Sequence, residues 1–219
     1  MSNRRTNVDP LELPQGTHRL LLHCCCAPCA GAIIEDLTNA GIDFHILFYN
    51  PNIHPREEYF RRRDELIAYA ESKGLPWSSL DGDERIWFAR MRGLESEPER
   101  GKRCAECFLM RFERVAAFAA EHGFDVFTTT LMSSRHKDID QVMATGSAVA
   151  DAHPGLVFWT KNWRKNAGTQ RADLIAREAG FYRQSYCGCV FSKYARATRK
   201  IDDADREREI AERLLIKGV

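Results

Sequence analysis

The feature that most constrains this chain is a short apolar run, Arg19-Leu20-Leu21-Leu22-His23, which leads without a spacer into Cys24-Cys25-Cys26-Ala27-Pro28-Cys29. A run this short, bounded by turn residues, reads as a buried strand. From Ala30 to Ala40 the apolar positions Ile33, Ile34 and Leu37 share one helical face, and Gly41 stops the helix. Phe44-His45-Ile46-Leu47-Phe48-Tyr49-Asn50 is then a second buried strand, closed by the Asn50-Pro51 breaker. Strand, helix and strand make a β-α-β unit with cysteines at its first turn. Parallel strands need crossover connections, so the unit commits the chain to a sheet covered by helices.

The alternation continues along the chain. Charged helical sequence runs from about Glu57 to Lys73, a short strand spans Pro76 to Leu80, and a helix spans Glu84 to Met91. The polar loop from Gly93 to Arg103 leads into Cys104-Ala105-Glu106-Cys107 and a helix ending at His122. Asp125 to Leu131 is a Thr-rich strand, residues 139–152 are helical, and Leu156-Val157-Phe158-Trp159 is a last strand. This pattern predicts an α/β fold with a parallel, Rossmann-like sheet, helices on both faces and extra C-terminal helices. We divide it into an irregular leader (1–18), one catalytic α/β domain (19–200) and a charged helical tail (201–219). Ligands of such sheets bind beyond the carboxyl ends of the strands. Three segments belong there: the Cys24–Cys29 turn, the Asn50–Pro55 loop and the Ser133–Lys137 loop.

With 219 residues, the chain buries enough surface to be stable without covalent staples, so its eight cysteines need another explanation. Their density is far below the ~8–10% of secreted disulfide scaffolds. The first residues are basic but precede no apolar stretch of the signal-peptide kind, and no run reaches the ~18 apolar residues of a membrane span. A cytoplasmic, reducing compartment and no membrane partner are therefore expected, and there grouped cysteines serve metals or redox chemistry. The net charge of +1 supplies no global field for nucleic acid, so any such contact needs a local patch.

The cysteines fall into three groups. Cys104-x-x-Cys107 opens a helix, where unsatisfied N–H groups favour the thiolate. Together with the Cys24–Cys29 turn it offers enough thiolates for zinc or an iron–sulfur cluster. Consecutive cysteines suit a structural zinc knuckle poorly because their side chains diverge, whereas neighbouring thiolates can serve different metals or one large cluster. Any single cysteine here is otherwise a small buried hydrophobe. Cys187-Gly188-Cys189 can close into a disulfide only through a tight bend that Gly188 permits, and such a ring is easily reduced. It reads as a catalytic dithiol, with two further cluster ligands as the competing reading.

The residues also carry a family resemblance. Leu22-His23-Cys24-Cys25-Cys26-Ala27-Pro28-Cys29, Asn52-Ile53-His54-Pro55 with Glu58-Tyr59, Arg103-Cys104-x-x-Cys107, Thr129-Thr130-Leu131 with Ser134 and Lys137, and Tyr182-Arg183-Gln184-x-Tyr186-Cys187-Gly188-Cys189 resemble the cobalamin-independent epoxyqueuosine reductases of the QueH type. The resemblance spans about residues 19–195. It implies removal of the epoxide oxygen of epoxyqueuosine at the tRNA wobble position, giving queuosine. It further implies a [4Fe-4S] cluster held by Cys25, Cys26, Cys104 and Cys107, with Cys187 and Cys189 redox-active. Cys24 is additional to the family's pattern, which leaves the ligand register within 24–26 open by one position. Cys29 is the candidate for an adjacent mononuclear iron. The wider fold resembles nucleotide α-hydrolases, whose glycine-rich phosphate cradle is here replaced by cysteines, so no ATP use is expected.

Substrate contacts are assigned to His54, Tyr59, Arg135 and Lys137. Phosphates are within the chemistry of Arg61, Arg62, Arg63, Arg111, Arg114 and Arg135 with Lys137, although Arg61 to Arg63 also read as a solvated helix face. Tyr49, Tyr59 and Trp87 are candidates to stack an extruded base, whereas Trp159 and Trp163 read as packing residues. His23 reads equally as a proton donor and as a satisfied structural histidine. An electron donor is required and is not identified by the sequence. Two other functions fit parts of the pattern. A zinc-stabilised RNA-binding module would be colourless where an iron protein is brown, and a thiol–disulfide oxidoreductase built on Cys187 and Cys189 leaves the other cysteines without a role.

Overall fold

A computed structural model of the chain describes residues 11–195, 197 and 198. The tail expected over 201–219 and the first part of the leader lie outside the described residues; residues 11–18 contain neither helix nor strand. Five strands form one sheet: β1 (Leu20–Cys24), β2 (Phe44–Phe48), β3 (Trp77–Ser79), β4 (Val126–Thr129) and β5 (Val157–Phe158). Every pairing is parallel, and the order is β3-β2-β1-β4-β5.

The helices that pack around the sheet are α1 (Ala27–Asn39), α2 (Arg56–Ser72), α3 (Glu84–Arg90), α4 (Lys102–His122), α5 (Ile139–Asp151) and α6 (Gly168–Glu178), and residues 190–195 are helical as well. On one face α1 packs against α2 and α6, and on the other α4 packs against α5. This is the expected α/β architecture. The Thr-rich strand is shorter than its pattern suggests: Thr130–Ser133 winds into a 3-10 turn, in which the Thr129 hydroxyl accepts from the Leu131 N–H.

β1 is central and wholly buried. Its continuous Leu-Leu-Leu run, without polar alternation, follows from having helices on both sides. The order in which strands are added reverses between β1 and β4, so the connections leaving their carboxyl ends part to opposite faces and open the crevice at which such sheets bind ligands. The Cys24–Cys29 turn leaves β1 there, and the Thr130–Lys137 segment leaves β4. Trp159 and Trp163 are packing residues, stacked edge to face within the core.

Close approach of the layers depends on missing side chains. A Cβ on Gly31 of α1 would stand 2.8 Å from Ile175 of α6, and one on Gly146 of α5 would stand 2.4 Å from the Phe158 ring. Gly146→Ala is therefore expected to destabilise the fold by about 1–3 kcal/mol through overpacking. Urea unfolding should show a lower midpoint with an unchanged slope; a wild-type midpoint would contradict the close packing of α5 on β5.

Candidate active site

The first sulfur group is local in sequence. The Sγ atoms of Cys25, Cys26 and Cys29 all lie within 4.8 Å of one another. Pro28 lies in the first turn of α1, where a missing N–H costs nothing, and Cys26 is its extended N-cap. The Cys25 thiol is held well below its ordinary range, first by hydrogen bonding from Cys26 and Cys29 and then from Thr130. Thr130 Oγ1 donates to Cys25 Sγ at 3.4 Å and accepts from the Cys25 N–H at 3.1 Å. Cys26 and Cys29 are pushed up in turn, because a proton shared with Cys25 stays on them. Cys24 faces away: its thiol points to the Leu22 carbonyl, 3.6 Å distant, and burial raises it. Within 24–26, the two cysteines whose sulfurs gather with that of Cys29 are thus Cys25 and Cys26.

The second group is assembled from distant segments. Cys107, Cys189 and Cys187 share a cluster with Trp87 and Met110, and Trp87 Nε1 donates to Cys107 Sγ at 3.3 Å. Cys104, on the first turn of α4, accepts from the Arg100 N–H at 3.2 Å; burial raises its thiol, partly offset by the charge of Lys137. Burial alone would lower Lys137, but Cys187, Cys104 and Cys107 outweigh it and raise the ammonium. Cys187 is held well below the ordinary thiol range by the hydrogen bond from Cys189, against burial and with help from Lys137. All eight cysteines are free thiols. Lys137 thus sits as a cation among sulfurs rather than on an outer phosphate-binding face.

The Cys187-Gly188-Cys189 turn is docked by Arg62, which the sequence offers as a phosphate contact or as part of a solvated helix face and which is neither. Arg62 is 1% exposed. It donates to Glu58 Oε1 at 2.7 Å and to the carbonyls of Tyr186 and Cys187 at 3.0 and 3.2 Å. Glu58 also accepts from the Tyr182 hydroxyl at 3.0 Å, and the Gly188 carbonyl accepts from the His54 N–H at 2.8 Å. Gly188 has φ +106°, and a Cβ there would meet Ile53 at 2.8 Å, so glycine is required on both counts.

A cavity of about 440 Å³ opens between the sulfurs and α6. Its lining includes Cys25, Cys29, Cys187, Arg111, Arg135 and Lys137. Tyr59 is not part of it; this residue is 7% exposed, its hydroxyl bonds to Asp81, and it borders a separate small hollow. His54 packs its ring on Trp87 and Phe88 and likewise lies outside the cavity lining. Tyr49 and Trp87 are buried at 1% and 0% exposure, which removes both as base-stacking platforms.

His23 is the satisfied structural histidine of the two readings. Its ring lies 2.9 Å from Thr129 Oγ1 and 3.0 Å from the Tyr49 carbonyl. Burial and then the charge of Arg111 push it down to about 3, so it is neutral at physiological pH. Arg111 itself is buried, donating to Asn50. Sequence reading missed Arg100 and Arg164, which clamp the Ser134–Lys137 loop through backbone carbonyls: Arg100 reaches His136 O at 3.3 Å, and Arg164 reaches Lys137 O at 2.8 Å. No spacing pattern marks an arginine that recognises backbone.

Comparison with known proteins settles the lineage of this site. A profile of the family described as Epoxyqueuosine reductase QueH matches residues 20–195. The chain belongs to that family. The epoxyqueuosine reductase QueH of Histophilus somni is 49% identical over 200 residues, covering 91% of this chain and 82% of the relative. That of Acinetobacter baylyi is 48% identical, covering 83% of this chain and 84% of the relative. Among solved structures, the U34-tRNA thiolase NcsA from Methanococcus maripaludis, determined with its [4Fe-4S] cluster, has a TM-score of 0.52. It covers 92% of this chain and 70% of its own at 10% identity, a likeness of fold. Among the described residues, no helix is long and apolar enough to cross a membrane.

Arg62→Gln is expected to destabilise this QueH chain by about 3–5 kcal/mol, because it leaves the Glu58 carboxylate buried without its partner. It should also speed the reaction of Cys187 with a thiol reagent, since the turn loses two backbone anchors. Wild-type values for both the urea midpoint and the thiol-labelling rate would contradict the docking role.

Proposed function

We propose that this chain reduces the epoxide of epoxyqueuosine at the wobble position of tRNA to the alkene of queuosine, as a soluble cytoplasmic enzyme whose domain spans 19–200. The observation that carries the reading is that Cys25 and Cys29 of one sulfur group and Cys187 of the other line one cavity, in a chain of the QueH family. The net reaction takes up two electrons and two protons, breaks both C–O bonds and releases the oxygen as water.

The donor set fits an iron–sulfur cluster. Three soft thiol donors converge, one of them held towards thiolate, while Cys104 and Cys107 open α4 outside that group and beside Cys187. Cys25, Cys26, Cys104 and Cys107 would hold a [4Fe-4S] cluster, and Cys29, which shares the first group, would serve an adjacent iron. Such metal chemistry supplies single electrons and a Lewis acid for the epoxide oxygen.

The protein's own groups supply the rest. Cys187 and Cys189, oxidised together to a disulfide, release two electrons and two protons, which matches the demand of the reaction. A reductant from outside the chain then restores the dithiol. Lys137 holds a positive charge beside Cys187 and keeps that thiol towards thiolate. Arg62 holds the turn in place. Arg135 at the cavity mouth is the candidate for a tRNA phosphate, and His54 and Tyr59 support the loop and helix behind it. No ATP is required: the turn from Cys24 to Cys29, where a phosphate cradle would need glycine, contains none.

Anaerobic incubation of iron-reconstituted, reduced protein with epoxyqueuosine-containing tRNA should yield a nucleoside lighter by one oxygen; an unchanged mass refutes the reductase reading. Cys104→Ala should abolish visible cluster absorption and activity together, and retention of both would sink the ligand assignment. Cys29→Ala should keep the absorption while lowering iron content. Cys187→Ser should spare the cluster and stop multiple turnover, whereas normal turnover would refute the dithiol role.

A further inference from the structure

Two buried side-chain oxygens at the cavity have no use in the chemistry described so far. Asn52 is 4% exposed, and its Oδ1 has no hydrogen-bond partner among the described residues. Gln184 Oε1 is likewise buried and unpartnered, and its Nε2 reaches only Cys29 Sγ, at 3.9 Å. Both residues line the cavity that Cys25, Cys29 and Cys187 also line, and they come from opposite segments of the chain. Folded proteins rarely leave such an atom unpaired, because the desolvation penalty is not recovered.

Gln141 Oε1 is also unpartnered but lies away from the cavity, so among the amides that line it these two stand apart. Asn50, two residues upstream, is fully engaged: its Nδ2 donates to the Cys24 carbonyl at 2.9 Å and its Oδ1 accepts from Arg111. The loop that carries Asn52 is anchored, with the His54 N–H bonded to Gly188 O and the Tyr186 hydroxyl to His54 O. A ligand in the cavity is therefore the natural source of the missing partners. A hydroxyl suits the position best, because it both donates and accepts and so satisfies an amide in either orientation.

We infer that Asn52 and Gln184 form a polyol subsite that binds the two ring hydroxyls of the substrate's cyclopentane beside its epoxide. The inference rests on the reductase reading and adds to it the residues that select for the modified ring. The same geometry holds the hydroxyl-bearing carbons next to the sulfurs, which orients the epoxide.

The test uses the full-length, anaerobically purified protein and anticodon stem-loop RNAs, with binding read by fluorescence anisotropy. Three wobble nucleosides are compared: epoxyqueuosine, queuosine, and the 7-aminomethyl-7-deazaguanosine that lacks the ring. Asn52→Ala and Gln184→Ala should each weaken binding of the first two by about 10- to 100-fold and leave the third unchanged. Visible absorption should be unaffected in both variants. Thermal stability of Asn52→Ala should equal or exceed that of the wild type, since an unpaired buried acceptor is removed. Equal loss on all three RNAs, no loss on any, or a destabilised Asn52→Ala protein would overturn the inference. Failure of the wild type to reduce the epoxide would instead refute the reductase reading, a result the binding comparison does not depend on.

Discussion

The site depends on polar satisfaction at the buried end of β1. A strand covered on both faces can carry histidine and asparagine at its margin only if every ring nitrogen and amide finds a partner. His23 lies between Thr129 and the Tyr49 carbonyl, while Asn50 ties the Cys24 carbonyl to Arg111. These bonds join the ends of β1, β2 and β4 and hold the crevice open beneath the sulfurs. Thr130, just beyond β4, then bonds both the backbone and the thiol of Cys25. The scaffold thereby becomes continuous with the chemistry.

A second constraint comes from the Arg62–Glu58 pair. Two charges taken out of water are stable only with good geometry and further hydrogen bonds, and these are supplied by Tyr182 and by the carbonyls of Tyr186 and Cys187. The pair is better regarded as a means of specifying where the Cys187 turn sits than as a source of stability. Its partners belong to a segment more than 120 residues away in the chain. Lys137 has an analogous place among Cys104, Cys107 and Cys187, on a loop that Arg100 and Arg164 hold by its carbonyls.

Much of the fold was legible because its signals are local. Apolar runs of strand length alternating with helical patterns require only neighbouring residues, and the turn cysteines meet largely because they are adjacent on the chain. The misreadings have a common origin. Arg62 looked solvated on the face of a polar helix, and Tyr49 and Trp87 looked like stacking platforms, because periodicity within one element does not register what packs on it from elsewhere. The Tyr59 hydroxyl, bonded to Asp81, is a further instance.

The sequence by itself determined the parallel α/β architecture, the sulfur-based chemistry and the family, because these follow from short-range pattern and from motifs contiguous in the chain. Tertiary structure alone decided the rest. It separated Cys24, turned into the core, from Cys25, Cys26 and Cys29, and it brought Cys104 and Cys107 into the company of Cys187 and Cys189. It also left Asn52 and Gln184 without partners at a shared cavity. The physical reason is that burial, a missing hydrogen bond and the field of a distant charge are properties of a neighbourhood in space, which the order of residues does not specify.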